Sequence, residues 1–191
     1  MSRLSGLYAI TDAALQQPEQ LPERVARAID GGARLVQYRD KSGDRAARLH
    51  QARVLAEVCR ARGALLIIND DTQLAADSGA DGVHLGRDDA SPRDVRRRYG
   101  RPLLLGVSCY DDPRRARAAI EDGADYAEID VQETADGVIV VLHDADLMRV
   151  ATVKRNIWDI SYAELKEIDA GSWFAPEFAG EPIPTLQEVI D

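Results

Sequence analysis

The chain has 191 residues, of which 45% are hydrophobic and 30% charged. This composition is typical of a globular protein with one well-buried core and excludes a disordered or fibrous chain. A formal net charge of −9 repels phosphate backbones and anionic lipid, so we expect no nucleic-acid or membrane partner. Only two cysteines occur, Cys59 and Cys109. They do not indicate a disulfide framework, and we expect a cytoplasmic protein.

Short apolar and β-branched runs predict a series of strands with helices between them. The clearest helical periodicity covers Arg45 to Arg62, and a second helix is predicted over Leu21–Asp30, before Gly31-Gly32. Strands that alternate with helices indicate βαβ units and a parallel sheet. The predicted strands are Leu7–Thr11, Leu35–Tyr38, Leu65–Ile68, Gly82–Leu85, Leu103–Val107 and Tyr126–Val131.

Two architectures fit this alternation, a doubly wound sheet and a TIM-type (β/α) barrel. Polar residues follow nearly every predicted strand, beginning with Thr11-Asp12 and ending with Ser108-Cys109. Such groups at the carboxyl ends of many successive strands converge in a barrel, whereas a doubly wound sheet concentrates them at one switch point. The pattern favours the barrel.

The polar residues after the second, third and fourth strands combine cations with carboxylates. Arg39 and Lys41 alternate at a strand end and offer positive charge to phosphate oxygens. Asp70 and Asp89 each follow a strand and could share Mg²⁺, which accepts a few carboxylates together with substrate phosphate oxygens. Asn69 could orient a substrate by hydrogen bonding. This set suits a diphosphate leaving group, although surface ion pairs are the alternative interpretation.

Five motifs in register carry a resemblance to a known family. Over Leu7 to about Tyr126 the chain resembles thiamine-phosphate synthase, through GLYAITD, VQYRDK, IINDD, ADGVHLGRDD and LLGVSCYD. The resemblance implies a transferase that joins hydroxymethylpyrimidine diphosphate to thiazole phosphate and releases diphosphate. It implies Mg²⁺ ligands at Asp70 and Asp89. It implies substrate contacts from Gln37, Arg39, Lys41, Asn69 and Ser108. We expect His84, inside the fourth strand, to be a packed structural histidine.

The sequence departs from that family after Tyr126. The glycine-rich loops expected to hold the thiazole phosphate do not follow. Instead, Glu128 and Asp130 alternate on a strand, Asp136-Gly137 predicts a turn, and Val138–Leu142 predicts a further strand that leads to His143. Two carboxylates beside a histidine could bind a divalent metal next to a general acid or base. An acidic strand edge with a turn is the alternative.

This second segment, from about residue 122 to Asp191, resembles glycerophosphodiester phosphodiesterase through AEIDVQETADGVIVVLHDADLMR and the residues that follow. The resemblance implies Glu128 and Asp130 as ligands of Mg²⁺ or Ca²⁺ and His143 as the catalytic acid or base.

Together these observations predict an incomplete barrel of about seven strands, one fewer than a closed (β/α)₈ barrel has. Residues 1–126 would form synthase-like (β/α) units, and residues 127–191 a phosphodiesterase-like segment that completes part of the same barrel. Three functions stay open: the synthase-like transferase, the metal-dependent phosphodiesterase, and an inactive chimeric or truncated barrel. We expect small phosphorylated substrates, and association into a homo-oligomer through unpaired strand edges.

Overall fold

The computed structural model describes residues 4–15, 17–110 and 112–190. Its main feature is a sheet of six strands that lie in the order in which they occur in the chain. The register is parallel from the first strand to the fifth. The strands are β1 (Leu7–Ile10), β2 (Ala33–Tyr38), β3 (Leu65–Asn69), β4 (Gly82–Leu85), β5 (Leu104–Tyr110) and β6 (Tyr126–Ile129). This is the strand order of consecutive units in an incomplete (β/α) barrel.

One helix lies between each pair of successive strands. These helices are α1 (Leu21–Asp30), α2 (Arg45–Ala61), α3 (Thr72–Ser78), α4 (Pro92–Tyr99) and α5 (Pro113–Glu121). Short polar side chains start three of them. Asp44, Asp71 and Ser91 each accept a hydrogen bond from a backbone amide of the first turn, which satisfies a donor that the helix itself leaves unpaired.

The sequence Gly-Ala-Asp connects two of the helices to the strands that follow them, at residues 79–81 and 123–125. The Asp81 amide donates to the Leu66 carbonyl oxygen (2.9 Å), and the Leu66 amide donates to Asp81 Oδ2 (2.9 Å). Asp125 makes the same pair of bonds with Leu105, at 2.7 and 2.8 Å. Each aspartate therefore binds one residue of the preceding strand through two hydrogen bonds, directly before its own strand begins. We call each such pair of bonds an aspartate clamp.

The chain divides into two compact units. The first comprises Met1–Ser108 and Arg117–Ala127, and the second comprises Cys109–Ala116 and Glu128–Asp191. The core of the first unit lies between the inner faces of the helices and the sheet. Its largest fully buried side chains include Leu55, Leu66, Ile68, Leu74, Leu85 and Leu105.

The second unit contains two small antiparallel ribbons. The strand β7 (Val131–Glu133) pairs with β8 (Ile139–Val141), and β9 (Asp146–Leu147) pairs with β10 (Val153–Asn156). Short helices follow: α6 (Met148–Ala151), α7 (Tyr162–Leu165) and α8 (Leu186–Ile190). Its own buried cluster is Val140, Leu142, Leu147, Val150, Ile157, Ile160, Leu165 and Ile183.

The strand count needs one correction. The predicted turn at Asp136-Gly137 is present, with Gly137 at φ 80°. However, the strand after it pairs antiparallel with β7 instead of adding a seventh strand to the parallel sheet. The short loop between them, which the Thr134 amide closes by donating to the Val138 carbonyl oxygen (3.0 Å), reverses the chain, whereas a parallel neighbour requires a long crossover connection.

Two further observations bear on the predictions about a membrane partner and about a homo-oligomer. Among the described residues, no helix is both long and apolar enough to cross a membrane. The first strand in the sheet order, β1, has Leu7 and Ile10 exposed by 62% and 58%. Association through a strand edge and the division at residue 126 within one barrel both stay predictions.

Candidate functional sites

The residues predicted to bind substrate in the first unit lie at the carboxyl ends of β2 to β5. Gln37 is buried in β2, Asn69 is the last residue of β3, and Ser108 lies near the end of β5. Arg39 and Lys41 differ in one respect from the expectation. β2 ends at Tyr38, so both cations lie exposed in the following loop and not on the strand.

The loop after β2 is tied to the end of β1. The Arg39 amide donates to Thr11 Oγ1 (3.0 Å), and the Thr11 amide donates to the Gln37 carbonyl oxygen (2.9 Å). Thr11 itself is only 5% exposed. The backbone that carries the two cations is therefore fixed, although their side chains reach into solvent.

Asp70 and Asp89 form a pair of carboxyl groups. Burial and the hydrogen bond and charge of Asp89 raise the pKa of Asp70, while the charges of Lys41 and Arg39 lower it. Asp89 is held in place by the Gly86 amide, which donates to its Oδ2 at 2.7 Å. The structure thus brings together two predicted metal ligands and two predicted phosphate-binding cations.

Asp70 also occupies an unusual backbone conformation. Its φ is 65°, in the left-handed region that residues other than glycine seldom adopt. Its amide donates to the His84 carbonyl oxygen (2.8 Å), and the next residue, Asp71, caps α3. Strain of this kind is retained when the surrounding structure requires it, and it concentrates at functional sites.

The pair fits Mg²⁺ in its donor chemistry. Within the described part of the chain, no group of three or more His, Cys, Asp or Glu side chains is placed to hold a metal ion. Two carboxylates that repel each other gain most from a cation between them. Mg²⁺ commonly takes one or two carboxylates and completes its coordination with water and substrate phosphate oxygens.

A chain of five hydrogen-bonded side chains lies within the first unit. Gln37 Nε2 donates to the Tyr8 hydroxyl (3.0 Å), which lies 3.2 Å from the Tyr126 hydroxyl. That hydroxyl lies 3.4 Å from His84 Nδ1, and His84 Nε2 lies 2.8 Å from Ser108 Oγ. We call this set the Gln37–Ser108 chain, because it joins two residues that were predicted to contact substrate.

His84 is a packed histidine, as expected. It is 6% exposed, and burial lowers its pKa to about 4, so the imidazole is neutral near pH 7. Tyr8 and Tyr126 were not among the predicted site residues. Within short apolar strands a tyrosine is indistinguishable from a core aromatic, so the sequence offers no signal for the positions of their hydroxyl groups.

The second unit brings together a different group. His143 Nδ1 lies 2.8 Å from Asp144 Oδ1, and Arg149 Nε donates to Asp144 Oδ2 at 2.5 Å. The hydrogen bond with Asp144, followed by the charge of Asp130, raises the pKa of His143. The Arg149 guanidinium also lies over the ring of Trp173, 5.0 Å from its centroid.

The two predicted ligands of this second site are half-buried. Glu128 lies in β6, but the strand ends at Ile129, so Asp130 falls in the break before β7 instead of continuing the alternation. The Asp130 amide donates to the Tyr110 carbonyl oxygen (3.2 Å), and its own carbonyl accepts from the Leu142 amide (3.1 Å). The second of these bonds places Asp130 opposite Leu142, the residue that precedes His143.

Comparison with known proteins matches the chain to two family models, which overlap at residues 115–134. The family model described as "Thiamine monophosphate synthase" matches residues 7–134. The model described as "Glycerophosphoryl diester phosphodiesterase family" matches residues 115–191.

Individual relatives agree with the first match. A thiamine-phosphate synthase from Chromobacterium violaceum is 53% identical over 124 residues, which cover 65% of this chain and 59% of that protein. One from Nitrosococcus oceani is 49% identical over 125 residues, covering 65% and 58%. The chain therefore spans under two-thirds of the length of these curated relatives.

A solved structure extends the comparison to the fold. A thiamine phosphate pyrophosphorylase from Pyrococcus furiosus superposes with a TM-score of 0.63 at 27% identity, covering 86% of this chain and 79% of that one. Its likeness agrees with the strand order and the barrel architecture. The residues matched by the first family model, 7–134, include both ends of the Gln37–Ser108 chain and the Asp70–Asp89 pair. Through residues 7–134, the chain belongs to the thiamine monophosphate synthase family.

Proposed function

We propose that this chain is a thiamine-phosphate synthase-like transferase that acts on hydroxymethylpyrimidine diphosphate and thiazole phosphate. The observation that carries the proposal is the Asp70–Asp89 pair, close to the charges of Arg39 and Lys41. A diphosphate requires these partners: a divalent cation held by a few carboxylates, and fixed positive charge for the remaining oxygens.

The proposed roles follow from where the residues lie. Gln37, Asn69 and Ser108 would orient the pyrimidine diphosphate. The side chains of Arg39 and Lys41 lie exposed on a tethered loop, and would contact the diphosphate oxygens. Electrostatic stabilisation of the charge that develops on a leaving group is often the largest single contribution to catalysis.

Mg²⁺ would be held by Asp70 and Asp89 and, when bound, would neutralise charge on the departing diphosphate. The carbon–oxygen bond to the diphosphate breaks with its electron pair on oxygen, and the thiazole nitrogen supplies the pair for the new carbon–nitrogen bond. Burial first, and then repulsion from Asp89, raise the pKa of Asp70 and disfavour its charged form. A cation between them would remove that repulsion.

Cys59 and Cys109 are both buried, and we place the reaction in the reducing cytoplasm.

The test measures diphosphate release from the two thiamine precursors in the presence of Mg²⁺. We expect release to require both precursors and to fall at least about a hundredfold in Arg39→Ala and Asp70→Ala, the scale for loss of one electrostatic contact to the transition state. Asp88→Ala is the matched control, because Asp88 is exposed and adjacent to Asp89. Release no faster than in a protein-free control would contradict the proposal.

Binding should be measured separately by calorimetry with the pyrimidine diphosphate. Binding that depends on Mg²⁺ and on Asp70 but leads to no turnover would identify an inactive chimeric barrel. In that case the substrate site is intact, but the site for the second substrate is missing.

A second candidate function rests on the second unit. The His143–Asp144–Arg149 group, with Asp130 close to His143, supports a metal-dependent glycerophosphodiester phosphodiesterase. Glu128 and Asp130 would then hold Mg²⁺ or Ca²⁺, and His143 would transfer the proton. Release of glycerol phosphate from glycerophosphocholine, abolished in His143→Ala, is the expected result. Equal release by that variant would exclude His143 from the reaction.

A further inference from the structure

The backbone turn that carries Asp70 is a strained one. The Asp71 amide donates to the Asn69 carbonyl oxygen (2.8 Å) across Asp70, whose φ is 65°. A hydrogen bond between residues two apart, around a residue of positive φ, defines the classic γ-turn, which is rare and strained. The side chain at the centre of this turn, that of Asp70, contacts Asp89. A predicted metal ligand is therefore held in a backbone conformation that costs free energy.

Asp71 joins this γ-turn to two helices. Its Oδ1 accepts a hydrogen bond from the Leu74 amide (2.8 Å) and so caps α3. Its Oδ2 accepts from Arg48, whose Nη2 reaches it from α2 at 3.4 Å. The two side chains of this ion pair are mostly buried, with 19% of Arg48 and 23% of Asp71 exposed. Through one carboxylate, α2 therefore holds the residue that closes the γ-turn.

Arg48 also lies beside the loop that carries the two predicted phosphate-binding cations. Asp40, in the middle of that loop, accepts hydrogen bonds from the Tyr38 hydroxyl (3.0 Å) and the Ser42 amide (2.7 Å). Burial alone would raise the pKa of Asp40, but the hydrogen bonds from Ser42 and Tyr38 and the charge of Arg48 together lower it. The same guanidinium thus acts on the loop after β2 and on the turn after β3.

Stability alone does not explain why this arginine is buried. In the described part of the chain, Arg48 Nε is buried without a hydrogen-bond acceptor, and such a donor costs free energy that a surface arginine avoids. Arg45 reaches the same oxygen of Asp71 at 3.7 Å, but it is 55% exposed and lies closer to Asp77, at 2.9 Å. Arg48 is therefore the main partner of Asp71, and its unfavourable burial adjoins a strained turn, as is common near functional sites.

We infer that Arg48 is a positioning residue for the proposed Mg²⁺ ligand Asp70, because it holds Asp71 and so keeps the γ-turn closed. The inference rests on the proposed function for the metal, whereas the effect on the turn is a property of the free protein.

The sign of the effect on the metal separates positioning from simple electrostatics. A positive charge near the site repels Mg²⁺, so removal of Arg48 would strengthen Mg²⁺ binding if its charge were the whole effect. Loss of a positioning contact weakens Mg²⁺ binding instead, because this ion demands near-ideal ligand geometry.

The first experiment measures amide hydrogen exchange of the metal-free protein by NMR. In Arg48→Met, the Asp71 amide should exchange at least about fivefold faster, since fivefold is the upper end for an exposed ion pair and this pair is mostly buried. Arg53→Met is the matched control. It removes the same charge from α2, and Arg53 donates to the Asp77 carbonyl oxygen (3.2 Å) at the far end of α3. Equal exchange of the Asp71 amide in the parent protein and in Arg48→Met would overturn the inference.

The second experiment measures, by calorimetry, the Mg²⁺ concentration that gives half-maximal binding of hydroxymethylpyrimidine diphosphate. In Arg48→Met this concentration should rise about tenfold, the lower end of the range for loss of an outer partner of a metal ligand. Arg53→Met should stay within about twofold of the parent protein. Arg48→Lys keeps a charge that can reach Asp71 and should recover most of the affinity. An unchanged or lower concentration in Arg48→Met would overturn the positioning role.

The two measurements separate the inference from the proposed function. A parent protein that shows no binding dependent on Mg²⁺ would contradict the proposed function, and exchange of the Asp71 amide would still decide whether Arg48 holds the turn. Thermal melting identifies any variant that fails to fold. If Arg48→Met fails, the comparison of Arg48→Lys with the parent protein and with Arg53→Met decides the exchange result.

Discussion

Replacing Arg96 with alanine tests how the first unit is held together. The Arg96 guanidinium forms an ion pair with Asp125 and also donates to the carbonyl oxygens of Gly123 (2.6 Å), Gly100 (2.9 Å) and Leu103. Its side chain is 11% exposed and that of Asp125 is 21% exposed. Arg96→Ala would leave a mostly buried carboxylate and three carbonyl oxygens without this donor.

Breaking a fully buried pair by removing one partner costs about 3–5 kcal/mol, and the residual exposure of this pair reduces our expectation to about 2–4 kcal/mol. With a urea m-value of about 1–3 kcal/mol/M, the unfolding midpoint should fall by about 0.7 M or more. The neighbouring Arg97 is the matched control. It is 80% exposed and pairs with Asp94 at 2.8 Å, so Arg97→Ala should change stability by no more than about 0.5 kcal/mol.

Urea unfolding followed by circular dichroism measures both variants, and a double-mutant cycle with Asp125→Ala measures the coupling. Equal midpoints for Arg96→Ala and Arg97→Ala would refute the reasoning, because both variants remove one ion-paired arginine, and only Arg96 is mostly buried and bonded to carbonyl oxygens as well.

Three other expectations follow from single contacts. In Gly82→Ala the new methyl group would lie 2.6 Å from a backbone carbonyl oxygen of β5, so thermal melting should show a loss of about 1–3 kcal/mol. In Gly43→Ala the new methyl group would meet no atom within 4 Å, so this control variant should lose almost no stability. Because burial and a neighbouring carboxylate raise the pKa of Asp70, its ionisation destabilises the fold as the pH rises from the ordinary aspartate value through the raised one. Without metal, the melting temperature of Asp70→Asn should therefore exceed that of the parent protein at about pH 8, and should exceed it by less at about pH 3. A difference in melting temperature that does not change with pH would contradict this. Asp144→Asn should lower the pKa of His143 toward its ordinary value in an NMR titration, since the hydrogen bond to Asp144 is the main cause of the rise; an unchanged titration would exclude that cause.

The sequence predicted the parts of the fold that depend on local pattern. The helix over Leu21–Asp30 and the strand Gly82–Leu85 occur with the predicted bounds. The convergence of Asp70 and Asp89 also followed from pattern, because neighbouring parallel strands bring their carboxyl ends to one edge.

What the sequence did not predict depends on contacts between distant residues. Arg96 lies in a run of three arginines on a helix, and such a run indicates a solvated face. Only the tertiary structure shows that this one arginine turns inward to Asp125. The hydroxyl groups of Tyr8 and Tyr126 meet across 118 positions of sequence. Their meeting requires the register of the sheet and the absence of a side chain at Gly106, where the Tyr126 ring lies.

The aspartate clamps have a consequence for where segments of two different proteins can be joined in one chain. Both bonds of the Asp125 clamp point backward to Leu105, so a stretch imported after Asp125 inherits a strand already set in register by its host. The incoming sequence has to supply only an apolar continuation of that strand. A break placed in the preceding helix, α5, would instead divide the clamp between two parents. A junction directly after Asp125 therefore keeps the whole clamp within one parent, and this position lies inside the overlap of the two family matches, residues 115–134.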